Sequence, residues 1–247
     1  MSINRRNILK TAALGAAGLP LMANAATMNE TAGKKLKILV AGGHPDDPET
    51  GCGGTMAAYA KAGHEVVSLY LTTGEGGIPG TGPDEAAAIR KKEAIKACEI
   101  LGCSPVFAGQ IDGDTQVNKT WYDKIRLILE KEKPDIVYTH WPIDTHRDHR
   151  AISLLVYDAW LRMNKSFTLF YFEVLSGAQT QHFHPTHFVD ISETEAIKEK
   201  ACRAHVSQNP DDFYPYHQEM SRFRGLEARY KHAEAFVMHV QSGKIAF

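Results

Sequence analysis

Two short stretches concentrate the side chains able to do metal or acid–base chemistry. The first is His44-Pro45-Asp46-Asp47, followed by Glu49 and the glycine-rich Gly51-Cys52-Gly53-Gly54-Thr55. The second is His140-Trp141-Pro142-Ile143-Asp144-Thr145-His146-Arg147-Asp148-His149. Each follows a short apolar run, Ile38-Leu39-Val40-Ala41 and Ile136-Val137-Tyr138, so each reads as a loop leaving the carboxyl end of a strand. Open α/β sheets place their ligands at that rim. A catalytic zinc uses three protein ligands of His or carboxylate type and keeps a fourth position for water. The two loops together supply such a set. Taken alone, His44 and Asp47 have a plainer reading as a capped turn, with Asp47 holding backbone N–H groups of the following helix. The glycines suggest a phosphate loop, but no G-x-G-x-x-G and no Walker lysine accompany them. They read instead as room for a tight turn.

The elements that must position these loops follow from the apolar patterning. Strands are expected at 36–41, 65–71, 105–108, 135–139, 167–174, 188–191 and 234–239. Helices are expected at 55–62, 84–101, 121–133, 149–163, 193–205 and 218–230. The alternation predicts an α/β fold: a Rossmann-like, three-layer, doubly wound and mostly parallel sheet in a single domain over 36–247. His146 and His149, three apart in a helical first turn, then face one side.

The chain has 247 residues, 43% of them hydrophobic, and 12 histidines, six of which fall between His140 and His187. A formal net charge of -1 leaves no basic excess with which to neutralise phosphates, so nucleic acid is not an expected partner. Residues 1–25 read as an export signal: Arg5-Arg6 precede an apolar stretch from Ala12 to Met22, then Ala23-Asn24-Ala25 gives an A-x-A cleavage pattern. The apolar stretch is too short for a stable membrane span. The paired arginines resemble a twin-arginine signal, with Asn4 and Ile8 where that consensus has Ser/Thr and Phe. A linker occupies 26–35. Loss of the signal leaves 25 basic and 29 acidic residues, a net charge of -4. The expected location is the periplasm or cell surface of a bacterium. Cys52, Cys98, Cys103 and Cys202 contain no C-x-x-C pair and read as free, mostly buried thiols.

His44-Pro45-Asp46-Asp47, with Asp144-x-His146-x-Asp148-His149, resembles the PIG-L (LmbE-like) family of zinc-dependent N-deacetylases of N-acetylglucosamine-bearing molecules. Further matches are Thr73-x-Glu75-x-Gly77, Arg90-x-x-Glu93, Asp112-Gly113, Ser207-Gln208 and Ala233-Glu234-Ala235-Phe236. The resemblance spans roughly residues 36–240. It implies His44, Asp47 and His149 as ligands of zinc, or of another divalent metal such as Fe2+. It implies Asp46 as general base and His146 as the group that steadies the transition state, and it makes Arg90 and Asp112 candidates for gripping sugar hydroxyls. Each of those last two reads equally well as a surface ion-pair residue. Chemistry fits the division of labour: a carboxylate near an acidified water can take its proton, and a protonated His146 can stabilise the oxyanion. The proton donor to the leaving amine, Asp46 or His146, is left open. Asp144, Asp148 and Glu49 are expected to support the ligands rather than to react. Trp141 either stacks on a sugar or covers the site.

The expected reaction is removal of the N-acetyl group from an N-acetylglucosamine-containing oligosaccharide or glycoconjugate. Hydrolysis of another N-acyl or carbamoyl group, and a non-catalytic glycan-binding protein on the same fold, are the rival readings. The expected partners are the amino-sugar substrate and, in transit, the twin-arginine machinery, with a homo-oligomer left open.

Overall fold

The computed structural model describes residues 34–243. The expected export signal, and most of the expected linker, lie outside them. Residues from Lys35 onward pack as one unit. Its strands are β1 (Lys37–Gly42), β2 (Glu65–Thr72), β3 (Ser104–Gln110), β4 (Ile136–His140), β5 (Thr168–Phe172), β6 (His187–Asp190) and β7 (Ala233–Met238). They form one sheet in the order β3-β2-β1-β4-β5-β7-β6. The first five are parallel, and β7 runs antiparallel to both β5 and β6. The direction of winding reverses between β1 and β4, which leaves a crevice at their carboxyl ends.

Side-chain alternation along the strands fixes the layers. Ile38 and Val40 of β1 face one core with Cys52, Met56, Ala97, Leu101 and Ala201. These come from α1 (Asp47–Lys61), α2 (Pro83–Leu101) and α5 (Glu195–Cys202). Leu39 and Ala41 face the other core with Ile125, Leu129, Ile152, Leu155 and Trp160, from α3 (Lys119–Glu132) and α4 (Arg147–Arg162). A strand covered on both faces must be apolar throughout, as β1 and β4 are. The last helix, α6 (Pro210–Ala228), packs on β7. All four cysteines are free, and Cys52, Cys98 and Cys202 are buried.

Two helix boundaries differ from expectation. The structure starts α1 at Asp47, so Gly51, Gly53 and Gly54 lie inside a helix and not in a turn. Glycine disfavours a helix by about 1 kcal/mol relative to alanine, and the reason it is used here is tertiary. A Cβ on Gly51 would overlap the Phe172 ring, and one on Gly54 would lie 2.6 Å from Ile191 Cγ2. Glycine therefore lets α1 lie directly on the end of β5 and on the chain entering α5. The carboxylate of Glu234 accepts the Gly54 and Thr55 N–H groups at 2.9 and 2.8 Å and pairs with buried Lys198 at 2.6 Å. The second difference is α6, which begins at Pro210 and carries Pro215 in its interior. Proline reads as a helix breaker in sequence but is tolerated at the first helical position.

Candidate active site

The β1–α1 turn and the β4–α4 loop meet over the switch point, and the imidazoles and carboxylates they carry are buried together. Asp47 stands between two of them: Oδ2 lies 3.1 Å from His44 Nδ1, and Oδ1 lies 3.2 Å from His149 Nε2. Donor atoms of His44, His146 and His149 also fall within 4.8 Å of one another. The outward ring nitrogens are held from behind. Asp148 Oδ2 sits 3.0 Å from His44 Nε2, and Asp144 Oδ1 sits 3.1 Å from His149 Nδ1. Both carboxylates are anchored in turn. Asp148 accepts from Thr115 Oγ1 at 2.6 Å and Gly113 N–H at 2.8 Å. Asp144 accepts from His146 N–H at 2.8 Å and Thr180 Oγ1 at 3.0 Å.

This donor set fits a divalent metal. Donor atoms of Asp47, His140 and His149 also fall within 4.8 Å of one another, the His44 and His149 rings each have their far nitrogen on a carboxylate, and the Asp47 contacts of 3.1 and 3.2 Å are near the roughly 3.4 Å between ligand atoms on a tetrahedral zinc. The same groups pair with one another as ions. Burial opposes a charge on His44, but hydrogen bonds to Asp112, Asp148 and Asp47 outweigh it and hold the pKa well above the usual value. Burial likewise opposes charge on His149, and the Asp47 charge and the Asp144 hydrogen bond raise it to about 9. Burial disfavours the Asp47 anion, yet the His149 charge holds its carboxyl well below the usual range.

His140 opens the second polar cluster of the sequence but gains no role there; it ends β4. It is fully buried and stacks on His149 with ring centroids 3.9 Å apart and planes at 12°. Its Nε2 accepts the Gly43 N–H at 3.2 Å and lies 3.4 Å from Asp47. Burial and the neighbouring His149 lower its pKa to about 4. It is thus a neutral floor under His149 whose Nε2 lone pair is already spent on Gly43. His205, also fully buried, was missed for want of any local signal; its Nε2 lies 3.6 Å from Glu49 Oε1.

His146 caps α4, and its Nδ1 accepts the Asp148 N–H at 3.3 Å. Burial and the nearby His44 and His149 lower its pKa. Both features run against the expected protonated His146: with Nδ1 accepting from the backbone, Nε2 is the nitrogen left to donate. His146 lines the cavity, so a donor is available there.

Asp46 also lines the cavity, and burial raises its pKa above that of an ordinary carboxylate. Its N–H is held by Glu49 Oε2 at 3.1 Å, and Glu49 accepts from Tyr70 Oη on the other side. Arg90 and Asp112, read from sequence as sugar grips, both reach the cavity but touch protein groups. Arg90 Nη2 lies 2.8 Å from Asp46 Oδ2. Asp112 Oδ1 lies 3.1 Å from His44 Nε2, and its Oδ2 accepts Gly76 N–H at 3.0 Å. Trp141 donates Nε1–H to Gln181 O at 3.0 Å and packs edge-on to Tyr171 and Phe183. The far wall is built by Val174, Leu175, Gln179, Gln208, Phe213 and His217. The cavity volume of about 450 Å³ lies within the range of small-molecule sites, roughly 300–1,000 Å³.

Comparison with known proteins agrees with this architecture. Residues 39–160 match the family model for PIG-L, GlcNAc-PI de-N-acetylase. Diacetylchitobiose deacetylase of Thermococcus kodakarensis is 32% identical over 235 residues, covering 84% of each chain. The structure of N,N'-diacetylchitobiose deacetylase from Pyrococcus horikoshii superposes with a TM-score of 0.73 at 26% identity, covering 82% of this chain and 83% of that one. The 4-carboxy-2-hydroxymuconate hydratase of Pseudomonas putida KT2440 shares the fold, with a TM-score of 0.76 at 21% identity over 87% of this chain and all of that one. On the extent of the first match and the family model, the chain belongs to the PIG-L family.

Proposed function

We propose that this protein is a metal-dependent N-deacetylase that converts an N-acetylglucosamine-containing saccharide or glycoconjugate to the free amine and acetate. The observation that carries the reading is the Asp47 carboxylate set between His44 and His149, with the neighbouring carboxylate of Asp46 turned to the cavity. The named activities of the relatives support it.

His44, Asp47 and His149 would hold the ion, zinc or another divalent metal, which when bound supplies an acidified water and a Lewis acid for the acetyl carbonyl. Asp46 takes the proton of the hydrolytic water; its raised pKa makes it a better base than a solvent-exposed carboxylate. His146 donates Nε2–H to the carbonyl oxygen as negative charge develops on it. The lowered pKa of His146 and the use of its Nδ1 as an acceptor favour a hydrogen-bond donor over a proton donor at this position. Asp46, protonated in the first half of the reaction, therefore delivers that proton to the departing amine. Asp144 and Asp148 keep the His149 and His44 rings oriented throughout. The Arg5-Arg6 signal supports export, which favours an envelope or extracellular glycan over a cytosolic metabolite.

The test is metal analysis of the purified protein, with primary-amine release measured across N-acetylated mono- and oligosaccharides and their bulkier N-acyl counterparts. Amine release from N-acetyl substrates by metal-loaded protein is the expected result. No release from any, or a preference for bulky acyl groups, overturns the reading.

A further inference from the structure

Arg90 is spent in a way that a sugar grip does not explain. It projects from α2 and is only 3% exposed. Nη2 donates both to Pro45 O and to Asp46 Oδ2, at 2.5 and 2.8 Å, and Nη1 donates to Gly74 O at 3.1 Å. Nε is buried with no partner among the described residues. A guanidinium has five N–H groups. Three are taken by the protein, one is walled off, and a single Nη1 hydrogen is left for any ligand.

The loop after β2 is cut to fit this guanidinium. A Cβ on Gly74, which has φ +66°, would overlap it, and one on Gly77 would lie 2.6 Å from Nη1. On the other side, Asp46 has φ 110°, a region an L-residue rarely occupies and holds only when its surroundings impose it. Two contacts impose it here. Glu49 Oε2 takes the Asp46 N–H, and Arg90 bridges the preceding carbonyl and the Asp46 carboxylate. The Asp46 carboxylate also faces the Glu49 N–H in a reciprocal capping box at the start of α1, and Asp46 lines the cavity.

We propose that Arg90 is the positioning residue of the hydrolytic base: by bridging Pro45 O and Asp46 Oδ2 it locks the strained turn and holds the Asp46 carboxylate at the cavity. The proposal rests on Asp46 being that base. The Arg90 hydrogen bonds to the turn do not require a bound sugar, which has only the remaining Nη1 hydrogen to take.

The experiment compares metal-loaded wild type with Arg90→Lys and Arg90→Ala, by steady-state kinetics on the best N-acetyl saccharide and by crystal structures of the variants. The expected result is a kcat loss on the order of a hundredfold, with KM within about threefold of wild type. Millimolar guanidinium is expected to restore part of the Arg90→Ala rate, a recovery that a general loss of folding would not give. If Arg90→Ala does not fold, Arg90→Lys carries the same kinetic and crystallographic readouts. A rise in KM at unchanged kcat overturns the proposal, since it makes Arg90 a substrate contact. So does a crystal structure in which Asp46 keeps its backbone and carboxylate position without the guanidinium. Should the wild type hydrolyse no N-acetyl saccharide, the functional reading fails, and the position of Asp46 in the variant crystals still decides whether Arg90 holds it.

Discussion

Asp144 Oδ1 lies 3.1 Å from His149 Nδ1, and the same carboxylate accepts from His146 N–H and Thr180 Oγ1. It therefore sets the tautomer and ring plane of His149, pointing Nε2 at Asp47. Removing such a support weakens metal binding by about 10–100-fold in comparable sites. Asp144→Ala is expected to lose metal affinity by that factor, measured by chelator competition, with the fold retained by circular dichroism. Unchanged affinity would mean that packing alone orients His149.

Asp46 and Asp47 are neighbours with different surroundings. Asp47 lies between two imidazoles, whereas Asp46 meets an arginine and the cavity. Asp46→Asn keeps the hydrogen bond to Arg90 within reach but cannot take a proton. It should bind metal as wild type does and lose turnover by roughly 10²–10⁴-fold, the usual share of general base catalysis. Near-normal turnover with metal bound would remove Asp46 from the role of base.

The parallel part of the sheet and the meeting of two loops a hundred residues apart were legible because both rest on local signals. Apolar runs mark β1 and β4, and polar clusters follow them directly. The antiparallel insertion of β7 between β5 and β6 was not legible, since a strand's pattern does not name its neighbours. His44, Asp46, Asp47 and His149 stood out by type and spacing. His140 did not, because a lone histidine closing an apolar strand differs from a packed core residue only through its stacking on His149 and its bond to Gly43. The start of α1 was misplaced because Gly51 and Gly54 oppose a helix locally while Phe172 and Ile191, far away in sequence, require it to be made of glycine there.

That reading of the glycines makes a stability prediction. Gly51→Ala and Gly54→Ala raise helix propensity but drive a methyl group into Phe172 and Ile191. Overpacking of this kind costs about 1–3 kcal/mol, more than the propensity gain of about 1 kcal/mol. Gly82→Ala, at a position with φ -65° and no atom within reach of the new Cβ, is the control and should leave the midpoint unchanged. Thermal unfolding of the three variants, metal-loaded, checks it. A stabilised Gly54→Ala would show that α1 can move away from Ile191 at no cost.

The metal-free and metal-loaded proteins should respond to pH differently. In the metal-free chain His149 is raised to about 9, against an ordinary value of about 6.5 once unfolded, and His44 is raised in the same direction. A group with a raised folded pKa adds stability that is complete below its unfolded pKa and disappears as pH climbs through its folded one. The metal-free midpoint should therefore fall as pH rises from about 6.5 to about 9. Metal requires both imidazoles unprotonated at the ligating nitrogen, so loading the site replaces this ion-pair stability and should flatten the curve across the same window. Scanning calorimetry with and without zinc at fixed ionic strength measures both curves. The metal-free His149→Gln protein should lose most of the slope. A slope unchanged from wild type would show that His149 does not contribute to it, and a partial slope that disappears on adding His44→Gln would assign the rest to His44.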